Sequence, residues 1–330
     1  MPTVYPSRFV IRDRERFGLI DKSGMIVVEP TFAYLGEYAE GLTCFRQQDL
    51  FGFIDCDGTV IIEPKFRSLR LAGPRFSNGF ALVGDKPGDL HYIDRNGHQV
   101  FPCSFYFATD FKDSFAITKP SVASTGYTVI DKTSRPIGQV QAFDIPDRPG
   151  WPRSWDLFNC FVMVQQRLLV GAFNYTGERL FEPKFPRMHD FYLGVAGFSE
   201  HGHDDPYTFV RYGLVRLSGE ILVAPRFYEL GDFSEGLARA GRNRNEFGFI
   251  NPAGEWVIDP EFSQASAFSE GLACVTVKGK KGFINAKGEM IIEPRFRRQA
   301  DFHSGLAEID FDGKRGYVDT SGRIVWETTI

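Results

Sequence analysis

One short motif recurs at near-constant spacing along this chain, and this repetition restricts the possible folds more than any other feature. Gly282-Phe283-Ile284-Asn285, followed by Met290-Ile291-Ile292-Glu293-Pro294, shows the motif in its clearest form. In the well-kept parts its anchor glycine returns every 34 or 35 residues, at Gly18, Gly52, Gly213, Gly248, Gly282 and Gly316. Three weaker copies begin at His91, Thr128 and Gly171, which gives nine repeats. Self-similarity at a fixed period is typical of stacked supersecondary units.

Each repeat contains three short apolar runs, as in Ala273–Val277, Gly282–Asn285 and Met290–Ile292. The spacers between the runs are too short for helices, so each repeat is predicted to be a three-stranded antiparallel meander. The Asp-x-x-Gly segments, such as Asp21–Gly24, predict the second turn of the meander. Aspartate there caps backbone N–H groups and glycine accepts a positive φ, so we interpret the glycines of the repeat as turn residues.

Proline follows the third apolar run in most repeats, as at Pro64 and Pro294. Because proline donates no ladder hydrogen bond, we expect it to end that strand. The phenylalanine two residues later, such as Phe66 or Phe296, is predicted to insert between adjacent repeats. A polar link then leads to the Phe-x-x-Gly-(Leu/Phe)-Ala segment that opens the next meander.

We therefore predict an all-β fold, a tandem array of about nine three-stranded antiparallel meanders with a period of about 34 residues. Whole meanders stand at both ends of the sequence, which favours an open superhelical, solenoid-like array over a closed β-propeller-like ring. Within this one continuous array, residues 1–83 and 211–330 carry regular repeats, and residues 84–210 carry divergent repeats with loop insertions. The weaker pattern in the middle also fits a bend or a break into two sub-arrays.

The combination G-(F/Y)-I-D-x-x-G, I-E-P-x-F and F-S-E-G-L-A resembles the bacterial WG-repeat (KWG-repeat) family. The resemblance is strong for residues 9–83 and 208–330 and weak between them. The chain departs from the name of the family because no Trp-Gly dipeptide occurs; Phe51, Lys281 and Arg315 are among the residues that precede the glycine. The resemblance implies a bacterial origin and β-rich repeats that mediate interactions. Some members look like protective partners encoded beside secreted toxins.

The charge of the chain argues against two classes of partner. The net charge is −4, which disfavours nucleic acid or an anionic membrane as the main partner. Locally, arginines crowd two loops, around Arg239–Arg244 and Arg295–Arg298. Each cluster fits either a solvated rim balanced by neighbouring acids or a patch for an acidic protein partner.

No apolar segment is long enough for a membrane helix, and charges follow the N-terminus too early for a secretory signal. The five cysteines are scattered, without C-x-x-C spacing, which favours small buried thiols in a reducing compartment. We therefore expect a cytoplasmic protein that is a monomer when free.

The connection between the first and second runs is lengthened in three repeats, at Gly84–Asp89, Lys119–Gly126 and Ser199–Tyr207. Because these insertions share one position in the repeat, we expect them along one edge, where repeat proteins often form their binding surface. A different loop, Ile145–Trp155, carries Trp and Arg, which fit either interface anchors or a plug over a hydrophobic gap. The candidate protein-binding residues are Lys86, Asp89, Lys119, Ser121, Trp151, Arg153, Trp155, His201, His203, Asp204, Asp205 and Tyr207.

No recognisable reaction centre occurs: the sequence has no Gly-x-Ser-x-Gly elbow, no phosphate-binding glycine motif and no cysteine with a nearby histidine. We predict a non-enzymatic protein-binding repeat scaffold without cofactor or metal. Its most concrete form is an immunity or inhibitor protein that binds and neutralises a bacterial toxin or enzyme. The alternatives are a carbohydrate or cell-envelope binder, and a metal-assisted enzyme that uses the His201–Asp205 loop.

Overall fold

The computed structural model describes residues 5–112, 114–124, 126–141, 159–164, 167–173, 179–199, 210–299 and 301–328. Across these residues the chain forms 32 strands and no helix, which confirms the all-β prediction. The chain divides into two compact units. The first comprises Met1–Ala142 with Thr328–Ile330, and the second comprises Phe143–Glu327.

The strands of both units follow one another in chain order. The first unit contains β1 Phe9–Asp13, β2 Arg16–Ile20, β3 Ile26–Phe32, β4 Leu42–Gln47, β5 Leu50–Asp55, β6 Val60–Phe66, β7 Phe76–Ser77, β8 Phe80–Val83, β9 His91–Ile93, β10 Phe107–Ala108, β11 Phe115–Lys119, β12 Gly126–Asp131 and β13 Pro136–Gln141. The second unit contains β14 Asn159–Val164, β15 Arg167–Phe173, β16 Arg179–Phe185, β17 Arg187–Met188, β18 Val195–Ser199, β19 Tyr212–Arg216, β20 Ile221–Phe227, β21 Glu229–Ser234, β22 Leu237–Asn243, β23 Glu246–Ile250, β24 Trp256–Phe262, β25 Gln264–Ser269, β26 Leu272–Val277, β27 Lys280–Asn285, β28 Met290–Phe296, β29 Arg298–Gln299, β30 Leu306–Phe311, β31 Lys314–Asp319 and β32 Ile324–Glu327.

Among the described residues these strands form nine antiparallel sheets, one for each predicted repeat, with the strands of each sheet in sequence order. The meander prediction is therefore confirmed, but the prediction of three strands holds for only four sheets. The other five begin with an additional strand, at β10, β17, β21, β25 and β29, in what the sequence suggests is a polar link. The preference for an open array over a closed ring stays a prediction.

The additional strand forms for two reasons. The link can bury one of its sides, and it lies beside a sheet edge whose backbone groups would otherwise be unpaired. In β25, Gln264 and Ala265 pair with Thr276 and Val275 of β26. Phe268, at the end of the same strand, is buried between two sheets. Phe268 is the phenylalanine of the Phe-x-x-Gly segment, so the additional strand joins this segment to the link that precedes it.

The anchor glycine lies inside the second strand and not in a turn, which corrects the turn interpretation for this position. Gly52 stands in β5 opposite an irregularity of β6, where Phe51 pairs with Phe66 and Phe53 pairs with Ile62. The Glu63–Lys65 segment is therefore a bulge across from a single residue. A Cβ on Gly52 would lie 2.4 Å from the carbonyl oxygen of Ile62, so only glycine allows this close approach.

The proline of the motif belongs to the same bulge, so the prediction that it ends the strand is wrong. Pro64 lies within β6, which continues to Phe66. Pro294 lies within β28 in the same way. A bulge leaves residues outside the ladder hydrogen bonds, which is where a strand tolerates proline.

The Phe-Ile pair after the anchor glycine explains how the core forms. Phe53 is fully buried and packs towards the third sheet, with Phe76 and Val83. Ile54, the next residue, is equally buried and packs towards the first sheet, with Leu19. Successive side chains in a strand point to opposite faces, so this pair fills the space on both sides of its sheet.

The phenylalanine after the proline inserts between neighbouring repeats, as predicted. Phe262 and Phe296 are buried in the clusters that join the seventh to the eighth sheet and the eighth to the ninth. In the first unit, Phe32 and Phe66 are partly buried against the corresponding clusters. These aromatic rings supply much of the apolar area between the sheets.

Hydrogen bonds from the Phe-Ser-Glu-Gly segment join several neighbouring repeats within each unit. The Ser269 hydroxyl donates to the Phe302 carbonyl oxygen at 2.6 Å, and the Glu270 carboxylate accepts from the Gly305 N–H at 2.6 Å. Equivalent bonds join Ser234 to Phe268, Glu235 to Gly271, Ser77 to Phe111 and Glu40 to Gly79. The Ser-Glu pair of the motif is thus a clamp between repeats, a role that sequence reasoning missed.

The Asp-x-x-Gly turns form as predicted. The carboxylate of Asp21 accepts from the backbone N–H groups of Ser23 and Met25, at 2.8 and 3.0 Å, and Gly24 has a φ of 89°. The amide oxygen of Asn285 accepts the same two bonds, from Lys287 and Glu289. Because the turn needs an acceptor oxygen and no charge, asparagine replaces aspartate in several repeats.

These turns predict a specific acid sensitivity. The Ser23 hydroxyl, followed by backbone N–H groups, holds the pKa of Asp21 below its ordinary value of 3.8, against the opposing effect of desolvation. Burial opposes ionisation of Asp319, but hydrogen bonds from Ser321 and Arg323 outweigh it and lower the pKa. A lowered folded-state pKa contributes stability above the unfolded-state pKa, and this contribution is lost as the pH falls through the folded-state value.

We expect the double variant Asp21→Asn/Asp319→Asn to lose less stability than the wild type between about pH 4 and pH 2. The two proteins should have similar stability at pH 7, because the asparagine turns at Asn251 and Asn285 keep the same backbone hydrogen bonds. Denaturant titrations at both ends of this pH range measure the difference. An identical loss of stability in both proteins would contradict the prediction that these two carboxylates contribute to the acid sensitivity.

The cysteine prediction is only partly correct. Burial raises the pKa of the Cys44 and Cys274 thiols to about 12, as expected for inert core residues. Cys56 is half-buried, however, and Cys103 is exposed. Cys103 lies in the irregular segment after β9.

Candidate binding surface

Two of the predicted insertions occupy the same connection in adjacent sheets of the first unit. Gly84–Asp89 joins β8 to β9, and the residues after Lys119 join β11 to β12. The third and fourth sheets pack on each other through Tyr92, Phe105 and Ala116. The two insertions therefore extend from adjacent, packed sheets, and the expectation that all three insertions share one edge stays a prediction.

The Phe105-Tyr106 segment connects the two insertions through backbone hydrogen bonds. Gly88 N–H donates to the Phe105 carbonyl oxygen at 3.0 Å, and Tyr106 N–H donates to the Lys119 carbonyl oxygen at 2.8 Å. On the other side of the first insertion, Leu69 N–H donates to the Gly84 carbonyl oxygen at 2.8 Å. We call these four segments the loop surface: Arg67–Leu71, Gly84–Asp89, Phe105–Phe107 and Lys119–Ser124.

The predicted residues of this surface differ in exposure. Lys86 and Ser121 are exposed, whereas Asp89 and Lys119 are half-buried. The carbonyl oxygen of Asp89 lies 2.9 Å from Nδ1 of His91, so this residue helps to shape its loop. The Lys119 ammonium lies 5.5 Å from the ring centre of Tyr106, a cation–π contact that fixes its position.

Sequence reasoning missed the apolar residues of the loop surface. Leu69, Leu71 and Val122 are 55%, 99% and 70% exposed to solvent, whereas most large apolar residues that the structure describes face the core. Exposed apolar residues beside polar groups are typical of protein-binding patches. The sequence alone hardly indicates these residues, because it does not show whether an isolated leucine or valine in a loop faces the core or the solvent.

The remaining predicted site residues lie outside the described residues, and their predictions stay predictions. They are Trp151, Arg153, Trp155, His201, His203, Asp204, Asp205 and Tyr207.

The arginine cluster around Arg239 divides into two kinds of residue. Arg242 pairs with Glu246 at 3.6 Å, as expected of a solvated rim. Arg239 and Arg244 instead line a pocket of about 370 Å³ in the second unit. The other lining residues are Glu229, Phe247, Gln264, Ala265, Ser266, Cys274 and Lys281. Arg295, from the other cluster, donates to the Gly322 carbonyl oxygen of the next repeat and lies over Phe296.

Among the residues that the structure describes, no group of three or more His, Cys, Asp and Glu side chains is placed to hold a metal ion. His189 forms a pair with Asp232, whose Oδ1 atom lies 2.9 Å from Nδ1 of the histidine. The hydrogen bond from His189 lowers the pKa of Asp232. Within the same residues there is also no helix of the length and hydrophobicity that crossing a membrane requires.

The repeats identify the family of the chain. The family profile of the WG containing repeat matches residues 17–50, 51–84, 92–119, 212–243, 247–280 and 282–314, which together exceed half of the chain. The chain belongs to the WG-repeat family. The resemblance noted in the sequence is therefore confirmed, and the tryptophan of the family name is replaced by Phe, Lys, Arg or Tyr in this WG-repeat protein.

Solved structures resemble the WG-repeat protein in fold alone. A crystal structure described as that of the eukaryotic initiation factor matches with a TM-score of 0.66 and 12% identity, over 98% of this chain and 96% of that chain. BamB from Moraxella catarrhalis matches with a TM-score of 0.44 and 11% identity, over 96% of this chain and 98% of that chain. The dihydro-heme d1 dehydrogenase NirN matches with a TM-score of 0.46 and 13% identity, over 99% of this chain and 74% of that chain. No curated protein matches the sequence.

Proposed function

We propose that this WG-repeat protein is a non-enzymatic scaffold that binds a protein partner through the loop surface. One observation carries the proposal: the insertions of two adjacent repeats are joined by the Phe105-Tyr106 segment into one continuous surface. The family is built from repeats, and repeat proteins commonly carry their binding surface on per-repeat insertions.

The composition of the loop surface supports a protein partner. Leu71 and Val122 offer apolar area, Tyr106 offers an aromatic ring, and Lys86 with Lys119 supplies positive charge. Apolar and aromatic anchors surrounded by polar groups are the usual composition of a binding hot spot. The third and fourth sheets beneath are joined by the hydrogen bond from the Ser77 hydroxyl to the Phe111 carbonyl oxygen, so the loops are presented with little ordering cost.

An immunity or inhibitor role, in which the partner is a bacterial toxin or enzyme, is the most concrete form of this proposal and rests on the family resemblance. The carbohydrate-binding alternative has less support, because the aromatic residues of the hairpins are mostly buried between sheets. A glycan array would revive that alternative if it gave binding at micromolar or lower Kd.

The proposal predicts that substitutions in the loop surface weaken the binding of the protein partner. A protein that co-purifies stoichiometrically with the full chain from its native lysate is identified, purified and titrated calorimetrically. We expect Leu71→Asp and Val122→Asp each to weaken its binding at least about 10-fold, because a charge would enter an apolar contact.

The matched control is Leu193→Asp, which introduces the same charge at a leucine that is 83% exposed in the second unit. Leu193 has a φ of 48°, a conformation that aspartate tolerates well. Equal loss of binding in all three variants, or none in the first two, would exclude the loop surface as the binding site.

A further inference from the structure

Arg239 is a half-buried arginine at a register position that carries different residue types in other repeats. It is paired with Phe249 in the middle of β22, facing the gap between the seventh and eighth sheets. Cys44 and Cys274 hold the same register position in two other sheets, and both are buried. In the ninth sheet the same position carries Glu308, which is exposed, so this register position accepts a charged side chain that reaches solvent or a partner.

The neighbours of Arg239 orient its guanidinium without using all of its donors. Nη1 donates to the Ala265 carbonyl oxygen at 3.3 Å, and Nη2 forms an ion pair with Glu229. The guanidinium carbon lies 5.3 Å from the centre of the Phe247 ring. A guanidinium has five N–H donors, so these contacts hold the group in place and leave donors for a further acceptor.

Two more cations line the same pocket. Arg244 comes from the turn after β22, and Lys281 comes from β27 of the next sheet, where its ammonium donates to the Thr276 hydroxyl at 3.5 Å. Against these three positive groups the pocket has one carboxylate, Glu229. The lining therefore carries an excess of two positive charges in a partly enclosed space, where charges attract an anion more strongly than on an open surface.

We propose that this pocket binds a compact dianionic oxyanion group, such as a phosphomonoester or a dicarboxylate. A volume of about 370 Å³ lies in the range of small-ligand sites. Arginine forms paired hydrogen bonds with the oxygens of both groups, and Lys281 supplies a second charge from the opposite wall. The site is independent of the loop surface, which belongs to the first unit.

Calorimetric titration of the full chain with inorganic phosphate and, separately, with succinate tests the site at constant ionic strength, with chloride as the monoanion control. We expect saturable binding of at least one dianion, and the tighter of the two identifies the chemical class. Lys281→Gln and Arg239→Gln are each expected to weaken binding about 10-fold, since each removes a charged hydrogen bond. Arg244→Gln should have a smaller effect because its side chain is exposed.

Arg242→Gln is the matched control, because this arginine lies at the end of β22, two residues before Arg244, but pairs with Glu246 outside the pocket lining. Its dianion affinity should stay within about 2-fold of the wild type. If Arg239→Gln fails to fold, as judged by circular dichroism, the Lys281→Gln variant decides the result. Absence of saturable binding above the chloride control, or binding that Lys281→Gln leaves unchanged, would overturn the proposal.

Discussion

Replacing Phe53 with alanine is expected to lower the free energy of unfolding of the WG-repeat protein by about 3–5 kcal/mol. Phe53 is fully buried, and its ring centre lies 4.9 Å from that of Phe76 in the neighbouring sheet. The substitution removes the aromatic contact between two repeats and leaves a cavity that the flanking sheets cannot close. Because each repeat is stabilised by its neighbours, the damage should extend beyond one sheet.

Denaturant unfolding followed by circular dichroism measures this loss, and Leu71→Ala is the control. Leu71 is 99% exposed, so its truncation should change the free energy of unfolding by less than about 0.5 kcal/mol. The equivalent pair of Phe283 and Phe302, at 4.8 Å, predicts a similar loss for Phe283→Ala in the second unit. A loss below about 1 kcal/mol for Phe53→Ala would contradict the view that this contact holds adjacent repeats together.

The second large effect is expected at an anchor glycine. In Gly248→Ala the new Cβ would lie 2.3 Å from the Ile258 carbonyl oxygen and 2.8 Å from the Pro260 nitrogen. Both atoms belong to the backbone of the bulge in β24, so no side-chain rotation relieves the contact. We expect the free energy of unfolding to fall by about 3 kcal/mol or more, because the two strands must separate. This is the upper end of the range for overpacked sites.

Gly231→Ala separates this clash from a general effect of replacing glycine in a strand. Gly231 lies in β21 of the same sheet, and a Cβ there would be no closer than 3.6 Å to any neighbour, which is an ordinary contact. Its stability should equal or slightly exceed that of the wild type, since alanine has less backbone freedom to lose on folding. Thermal unfolding of both variants checks the difference, and equal melting temperatures would show that the bulge tolerates a methyl group.

The sequence gives little guidance to either candidate binding site. Lys86 and Ser121 could be selected because they lie in insertions, but the contribution of Leu69 depends on a hydrogen bond to a residue of another repeat. Arg239 could be noticed as part of a cluster, yet nothing local separates it from Arg242. Arg239 lines a pocket, whereas Arg242 pairs with Glu246, and only their positions in the folded sheet distinguish them.

The sequence by itself determined the number of repeats, the antiparallel order of their strands and the chemistry of the Asp-x-x-Gly turns. These properties depend on residues only a few positions apart, whose side-chain alternation and turn hydrogen bonds are local. Tertiary structure alone decided that Gly52 faces a bulge, that Ser269 and Glu270 clamp the following repeat, and that Arg239 meets Lys281 across a pocket. Each of these contacts joins different strands or repeats, so it exists only once the chain has stacked and brought those backbones within hydrogen-bonding distance.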